Sequence, residues 1–309
     1  MTRDTYTRPV LVGIDGTSSG LEALSLGSAL AVITGAPLVL GAVYGFEVMT
    51  SAFGGPAWPP HEEAAKWLEE AEGRLGDAVP WRSVTFAAGS IAHGLAEMAE
   101  EEDAAILVLG FSRHGAVGRM MIGTGVTRVV HGSPCAVAVV PHGWHLQPED
   151  RALTFGVAFD GGPESHEALA LAARLAEAPH ARLRILTAVQ LLTPAHPVFA
   201  ATGASYAGWV RERREYAERI AHEAAAGIPG AEVDILHGDP ALSLAEASSG
   251  LDLLVTGSRR YGPLKSTLLG GVSSALVEHA HCPVLIVPRG VQAEDAVHRS
   301  GTAAHALRG

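Results

Sequence analysis

Two stretches of the chain combine residue types and spacing that could hold an anionic ligand. Ala105 to Gly125 reads AILVLGFSRHGAVGRMMIGTG, and Asp252 to Ser273 reads DLLVTGSRRYGPLKSTLLGGVS. Each opens on an apolar, β-branched run of buried-strand length, breaks into a Gly-punctuated loop and begins a helix through a further Gly. Glycines let backbone N–H groups come close to phosphate oxygens, and a helix N-terminus adds positive potential. The same glycines would equally serve a turn that binds nothing. Gly110, Gly115, Gly123 and Cys135 recur as Gly257, Gly262, Gly270 and Cys282 at a constant offset of 147. An ungapped register held over four landmarks marks an internal repeat, so two copies of one domain are expected. Asp15 and Asp160, each closing the first apolar run of its copy, are further candidates. They could accept hydrogen bonds from a ligand or cap the helix that follows.

The elements that must position these residues alternate in type. Pro9 to Ile14 reads as a first buried strand, and Ala23, Leu26, Leu30 and Ile33 mark one face of a helix stopped by Gly35. Pro37 to Tyr44 is a second strand, and a Gly/Pro-rich, unusually apolar loop from Gly45 to Pro60 is expected to fold over the cleft or the other repeat. A helix from His61, a third strand at Val84 to Ala87 and a short helix at Ile91 to Glu102 lead into the first Gly loop; Ala136 to Val140 closes the copy. After a polar linker the order repeats, from Thr154 to Phe159 through Arg182 to Gln190, a long helix containing Trp209, Tyr216 and Ile220, and Val233 to Leu236. Leu251 to Thr256 and Val284 to Val287 are the last strands. The expected domains are residues 1–145 and 150–290, with a disordered tail at 291–309. Continuous apolar strands alternating with helices imply an α/β fold: two repeated five-stranded parallel sheets with helices on both faces. Ligands of such sheets bind at the carboxyl edge where strand order reverses, the edge that Asp15, Asp160 and the Gly loops share.

Bulk properties narrow the function classes. A net charge of −11 opposes a nucleic-acid surface. The segment Arg211 to Arg219, RERREYAER, mixes both signs and reads as a solvated helix face. No apolar run reaches the roughly 18 residues a membrane span needs, and no secretory h-region opens the chain, so a cytoplasmic protein is expected. The two cysteines sit at equivalent positions and are expected to be free, buried thiols. His142 and His145 flank Gly-Trp without further ligands at metal spacing, so no metal site is expected. His114 and His131 lie near the first loop without a nucleophile at a strand–helix elbow, which gives no catalytic residue.

At these residues the chain resembles the universal stress protein family in its tandem form. The likeness rests on VGID at Val12 to Asp15 and VAFD at Val157 to Asp160, on Gly89 and Gly238 after the third strands, and on GSRRYGPLKSTLLGGVS at Gly257 to Ser273. PCAVAVV and CPVLIVP in the last strands add to it. The resemblance implies a Rossmann-like, adenine nucleotide α-hydrolase-like fold in paired domains, some members binding ATP. Those members resemble the pattern G-x2-G-x9-G-[ST]. Gly110, Gly123 and Thr124 fit it in the first copy; Gly257 and Gly270 fit it in the second, where Gly271 replaces the hydroxyl residue. Arg113 and Arg260 stand at the second glycine, where a guanidinium could fill a phosphate pocket or pair with the phosphate.

The resemblance also maps Asp15 and Asp160 to adenine or ribose, and Val43 and Val189 to backbone contacts with adenine. Gly125 completes the first loop, and Ser273 is a substitute hydroxyl for the second. The implied cofactor is ATP, with or without magnesium. The implied partner surface is the pairing of the two domains through their last strands, with a homodimer as a further form. The leading expectation is a stress-response protein that binds an adenine nucleotide in at least one domain, more tightly in the first, which keeps Thr124. The alternative is a scaffold that binds none, and an enzyme lacks an assigned general base.

Overall fold

The computed structural model describes residues 8–45, 59–111, 122–146, 152–177, 181–202, 205–258 and 270–290. In the first half, strands β1 (Val10–Gly13), β2 (Leu38–Gly45), β3 (Trp81–Ala88), β4 (Ile106–Phe111) and β5 (Ala136–Pro141) alternate with helices α1 (Ser18–Thr34), α2 (His61–Glu72), α3 (Ile91–Glu101) and α4 (Ile122–Gly132). The second half has β6 (Thr154–Ala158), β7 (Arg182–Val189), β8 (Glu232–His237), β9 (Leu253–Gly257) and β10 (Val284–Val287). Its helices are α5 (Pro163–Ala176), α6 (Pro197–Thr202), α7 (Tyr206–Ala225), α8 (Pro240–Ala247) and α9 (Gly271–His279).

The sheet order is β3-β2-β1-β4-β5-β10-β9-β6-β7-β8, so each half is a parallel 3-2-1-4-5 sheet and the two run into one ten-stranded sheet. At the seam β5 and β10 pair antiparallel, with Val139 opposite Val284 and Ala138 opposite Leu285. Side chains alternate across the pleat. Val10 and Val12 join the core under α1, while Leu11 joins the core under α3 and α4. Each of these two cores contains residues of both halves, Ala138 with Leu285 on one face and Val139 with Val284 on the other. The seam strands are therefore buried on both faces, as parallel-sheet interiors are.

The third strand is longer than its apolar stretch suggests. It starts at Trp81, and Trp81, Arg82 and Ser83 are exposed because β3 is an edge strand. Strand β9 of the second motif starts at Leu253, later than the apolar run from Leu251. Asp252 is buried and accepts a hydrogen bond from Thr154 N at 2.8 Å, tying β6 to β9. A short helix, α6, stands between β7 and the long helix α7. The apolar loop and the tail fall on residues 46–58 and 291–309, outside the described residues.

One steric feature fixes the carboxyl edge. A Cβ at Gly110 would run into the backbone carbonyl of Ser19, and one at Gly257 into that of Glu164. The first turns of α1 and α5 thus lie directly on the ends of β4 and β9, which only a residue without a side chain permits.

Both cysteines are free and buried. Burial pushes the Cys135 thiol up from its usual 9.0 to about 11. Burial, with the Asp252 carboxylate adding to it, pushes Cys282 up as well.

Gly257→Ala should lose about 3 kcal/mol of stability, because the backbone it meets cannot move aside as a rotamer can. Gly76→Ala, with nothing within 4 Å of its new Cβ, should be near neutral. Denaturation midpoints of the two variants check this, and equal midpoints would contradict it. Neither thiol should react with a disulfide reagent at pH 8 until the chain unfolds. The Cys135 contribution to stability should be whole below pH 9 and decline towards pH 11, since the unfolded thiol ionises first. Rapid labelling of the folded chain would contradict both statements.

Candidate functional site

In the second half, β6 delivers Phe159 to the core and then turns. Gly161, at φ 79°, makes the turn, and Gly162 is the N-cap of α5 with Pro163 in its first turn. Asp160 Oδ1 accepts from Gly162 N at 2.9 Å, so one carboxylate oxygen helps start the helix. Beside this turn a cleft of about 850 Å³ opens at the carboxyl ends of β6, β7 and β9. Asp160, Val189, Gly257, Gly270, Gly271 and Ser273 all line it. That size lies in the range of small-molecule sites.

The polar groups of this cleft differ in what they have left to offer. Helix α9 begins with Gly270 as N-cap, which makes no side-chain cap bond. The first backbone bond back to Gly270 O comes from Ser274 N, at 2.9 Å. The N–H groups of the first turn before it have no acceptor within the helix. They are the donors an anion would find. Ser273 is buried and donates its hydroxyl hydrogen to Gly257 O at 3.1 Å, so it does not replace the hydroxyl missing at Gly271. The Val189 carbonyl already accepts from Gly238 N at 3.2 Å.

In the first half the corresponding residues sit at the matching edge. Asp15 Oδ1 accepts from Thr17 N at 3.0 Å and from Thr17 Oγ1 at 2.6 Å, and Thr17 Oγ1 accepts from Gly20 N at 3.2 Å. This relay caps α1, the structural one of the two roles open to Asp15. Gly16, at φ 69°, lies under the Trp67 indole of α2, which covers the turn. Val43 is buried at the end of β2, facing Gly94 of α3. Gly123, Thr124 and Gly125 fall in the first turn of α4. Arg113 and Arg260, with His114, lie outside the described residues.

The structure also assembles groups that sequence spacing does not bring together. Ser19 Oγ and Glu22 Oε1 approach the same ring nitrogen of His142, at 3.3 and 3.6 Å, and Gly143 N donates to Glu22 Oε1 at 2.9 Å. A Ser–His–acid relay needs serine and acid on opposite ring nitrogens. This trio instead ties α1 to the end of β5. Arg289 Nε and Glu164 Oε1, 3.5 Å apart, make the matching tie between the end of β10 and α5. Residue separations above 120 leave no trace of either link in a local reading of the chain.

Among the described residues, no three of His, Cys, Asp and Glu gather as a metal site requires, and no helix is long and apolar enough to cross a membrane.

The profile of the universal stress protein family matches residues 7–141 and again 154–288. A universal stress protein of Mycobacterium tuberculosis is 28% identical over 294 residues, covering 90% of this chain and 96% of its own. The solved structure of a universal stress protein from Archaeoglobus fulgidus superposes with a TM-score of 0.62 at 18% identity, covering 92% of this chain and 99% of that one. A functionally unknown protein from Pseudomonas aeruginosa does so at 0.57 and 15% identity, covering 94% of each. At those identities the structural likeness is one of fold, the Rossmann-like, adenine nucleotide α-hydrolase-like fold. Two consecutive matches to one profile, on a chain built as two 3-2-1-4-5 halves joined at their last strands, mean that this protein belongs to the universal stress protein family in its tandem two-domain form.

Proposed function

We propose that this protein binds an adenine nucleotide, ATP, at the carboxyl edge of its sheet and serves the stress response in the cytoplasm as a binding protein rather than an enzyme. The observation that carries this reading is the convergence of Asp160, Val189, Gly257, Gly270, Gly271 and Ser273 on one cleft. Its apolar lining, which includes Leu186, Val189 and Leu244, suits a planar base. It is also lined by the first turn of α9, whose N–H groups have no acceptor within the helix and suit phosphate. A carboxylate repels phosphate, so Asp160 belongs to the base and ribose, whose amino and hydroxyl hydrogens a carboxylate accepts. Asp15, Val43, Gly110 and Gly123 to Gly125 form the equivalent site of the first half. There Thr124 supplies the hydroxyl that the second half lacks, which makes the first site the tighter one. The domains are residues 1–145 and 150–290, and they stay paired along β5 and β10 in solution.

Denaturing the purified protein and identifying the released small molecules tests the reading; an adenine nucleotide is the expected product. Gly123→Asp and Gly270→Asp each place a carboxylate at a phosphate-binding helix start. Each should weaken its own site about ten- to a hundredfold, the loss expected for a charged hydrogen bond. Gly123→Asp should remove the larger share of bound nucleotide, and Cys135→Ala should remove none. Equal occupancy in all three variants would reject the assigned sites. A wild-type chain that neither carries nor binds nucleotide would point to a scaffold.

A further inference from the structure

The arginine-rich segment on α7 is not uniform. Arg211, Arg214 and Arg219 each have a glutamate four residues on, at Glu215, Glu218 and Glu223. The Arg219–Glu223 pair closes at 3.6 Å. Such pairs describe a solvated helix face. Arg213 is the exception. Its helical neighbours three and four residues away are Trp209, Val210, Tyr216 and Ala217, all without a carboxylate. Its guanidinium lies over the Trp209 ring, 5.7 Å from the centroid, and both residues line the second-half cleft with Tyr216.

The position of this face follows from the chain path. Helix α7 starts on the carboxyl side of β7 and runs back to the start of β8. Its Ile220 and Tyr216 stand level with the Asp160–Gly161 turn: a Cβ at Gly161 would lie 3.2 Å from Ile220 Cδ1 and 3.8 Å from Tyr216 Oη. Arg213 and Trp209 come one and two turns earlier, so they stand about 5 and 10 Å further out, at the mouth of the cleft. Phe199 and Tyr206 pack against Trp209, at 5.5 and 6.3 Å between ring centroids, and hold it there. Among the described residues two carboxylates line the same cleft. Glu164 faces Arg289 at 3.5 Å, and Asp160 holds the start of α5.

We infer that Arg213, held on Trp209, is a cation of the second-half site and pairs with the outermost phosphate of a bound nucleoside polyphosphate. This rests on the reading of the cleft as a nucleotide site. It supplies the donor that the second half does not get from Gly271 or from Ser273, whose hydrogen is already given to Gly257 O. Across the cleft, the first turn of α9 takes the inner phosphates. A guanidinium at the mouth therefore makes the site count phosphates: it rewards a long polyphosphate and ignores the nucleoside.

The test titrates the full chain by calorimetry with ATP, AMP and adenosine, using Gly123→Asp as the parent so that the second half alone reports. In that parent, Arg213→Gln should weaken ATP about ten- to a hundredfold, AMP less than threefold and adenosine not at all. Arg213→Lys should restore part of the ATP affinity, and Trp209→Ala should cost ATP a few-fold. Arg213 is exposed, and an unchanged circular dichroism melt verifies that its variants fold. An equal loss for all three ligands, or no loss for ATP, would overturn the inference while leaving nucleotide binding intact. A wild-type chain that binds ATP with a parent that does not would confine binding to the first half, and overturn it too. Absence of binding in the wild type would remove the underlying reading itself.

Discussion

The close passage of a helix's first turn over the end of a strand governs the geometry of each half. Where β4 ends at Gly110 the carbonyl of Ser19 occupies the place of a side chain, and where β9 ends at Gly257 the carbonyl of Glu164 does the same. That contact sets how far α1 and α5 can advance along the sheet, and so where the turns at Asp15 and Asp160 stand relative to the neighbouring strand ends. The switch point of a 3-2-1-4-5 sheet falls between these same strands, β1 with β4 and β6 with β9. The glycines therefore have a packing reason to exist whether or not a ligand ever comes near them.

The seam explains why the two halves form one body rather than beads on a linker. An apolar last strand with one open edge would invite pairing with another chain. β5 and β10 satisfy each other's backbone groups, and both cores then run through the junction without a break. The price in freedom is that the outer strands β3 and β8 are left as the edges of a long sheet. Polar and exposed residues accumulate there, Trp81, Arg82 and Ser83 on one side and Glu232 and His237 on the other.

The halves are similar in frame and different at their mouths. An indole covers the turn at Gly16, while an isoleucine and a tyrosine meet the turn at Gly161. Helix α2 opens with Glu62 and Glu63 in its first turn, whereas α7 has no acidic residue there and carries Trp209 and Arg213 along the cleft. The ties from the last strands to the first helices also differ in chemistry, a histidine with serine and glutamate in one half and an arginine–glutamate pair in the other. Repetition conserved the backbone plan, which depends on glycines and strand length. It left free the helices between the second and third strands, whose outer turns contact little of the core.

By itself the sequence determined the repeat, the alternation of strand and helix, and the identity of the residues at the carboxyl edge. Those features are local: the constant offset of the glycines, the apolar runs and the Asp that ends each first strand. The exposed start of β3 and the helix α6 were hidden, because an edge strand and a short amphipathic turn lack the period that burial imposes. Tertiary structure alone decided the rest. It spent the Ser273 hydrogen on Gly257 O, committed Asp15 Oδ1 to Thr17, and brought His142 to Ser19 and Glu22. It also carried Arg213 to the mouth of the cleft, a place no spacing could predict. Hydrogen-bond allegiance and proximity depend on how helices lie across the sheet, and that is fixed by contacts between residues far apart in the chain.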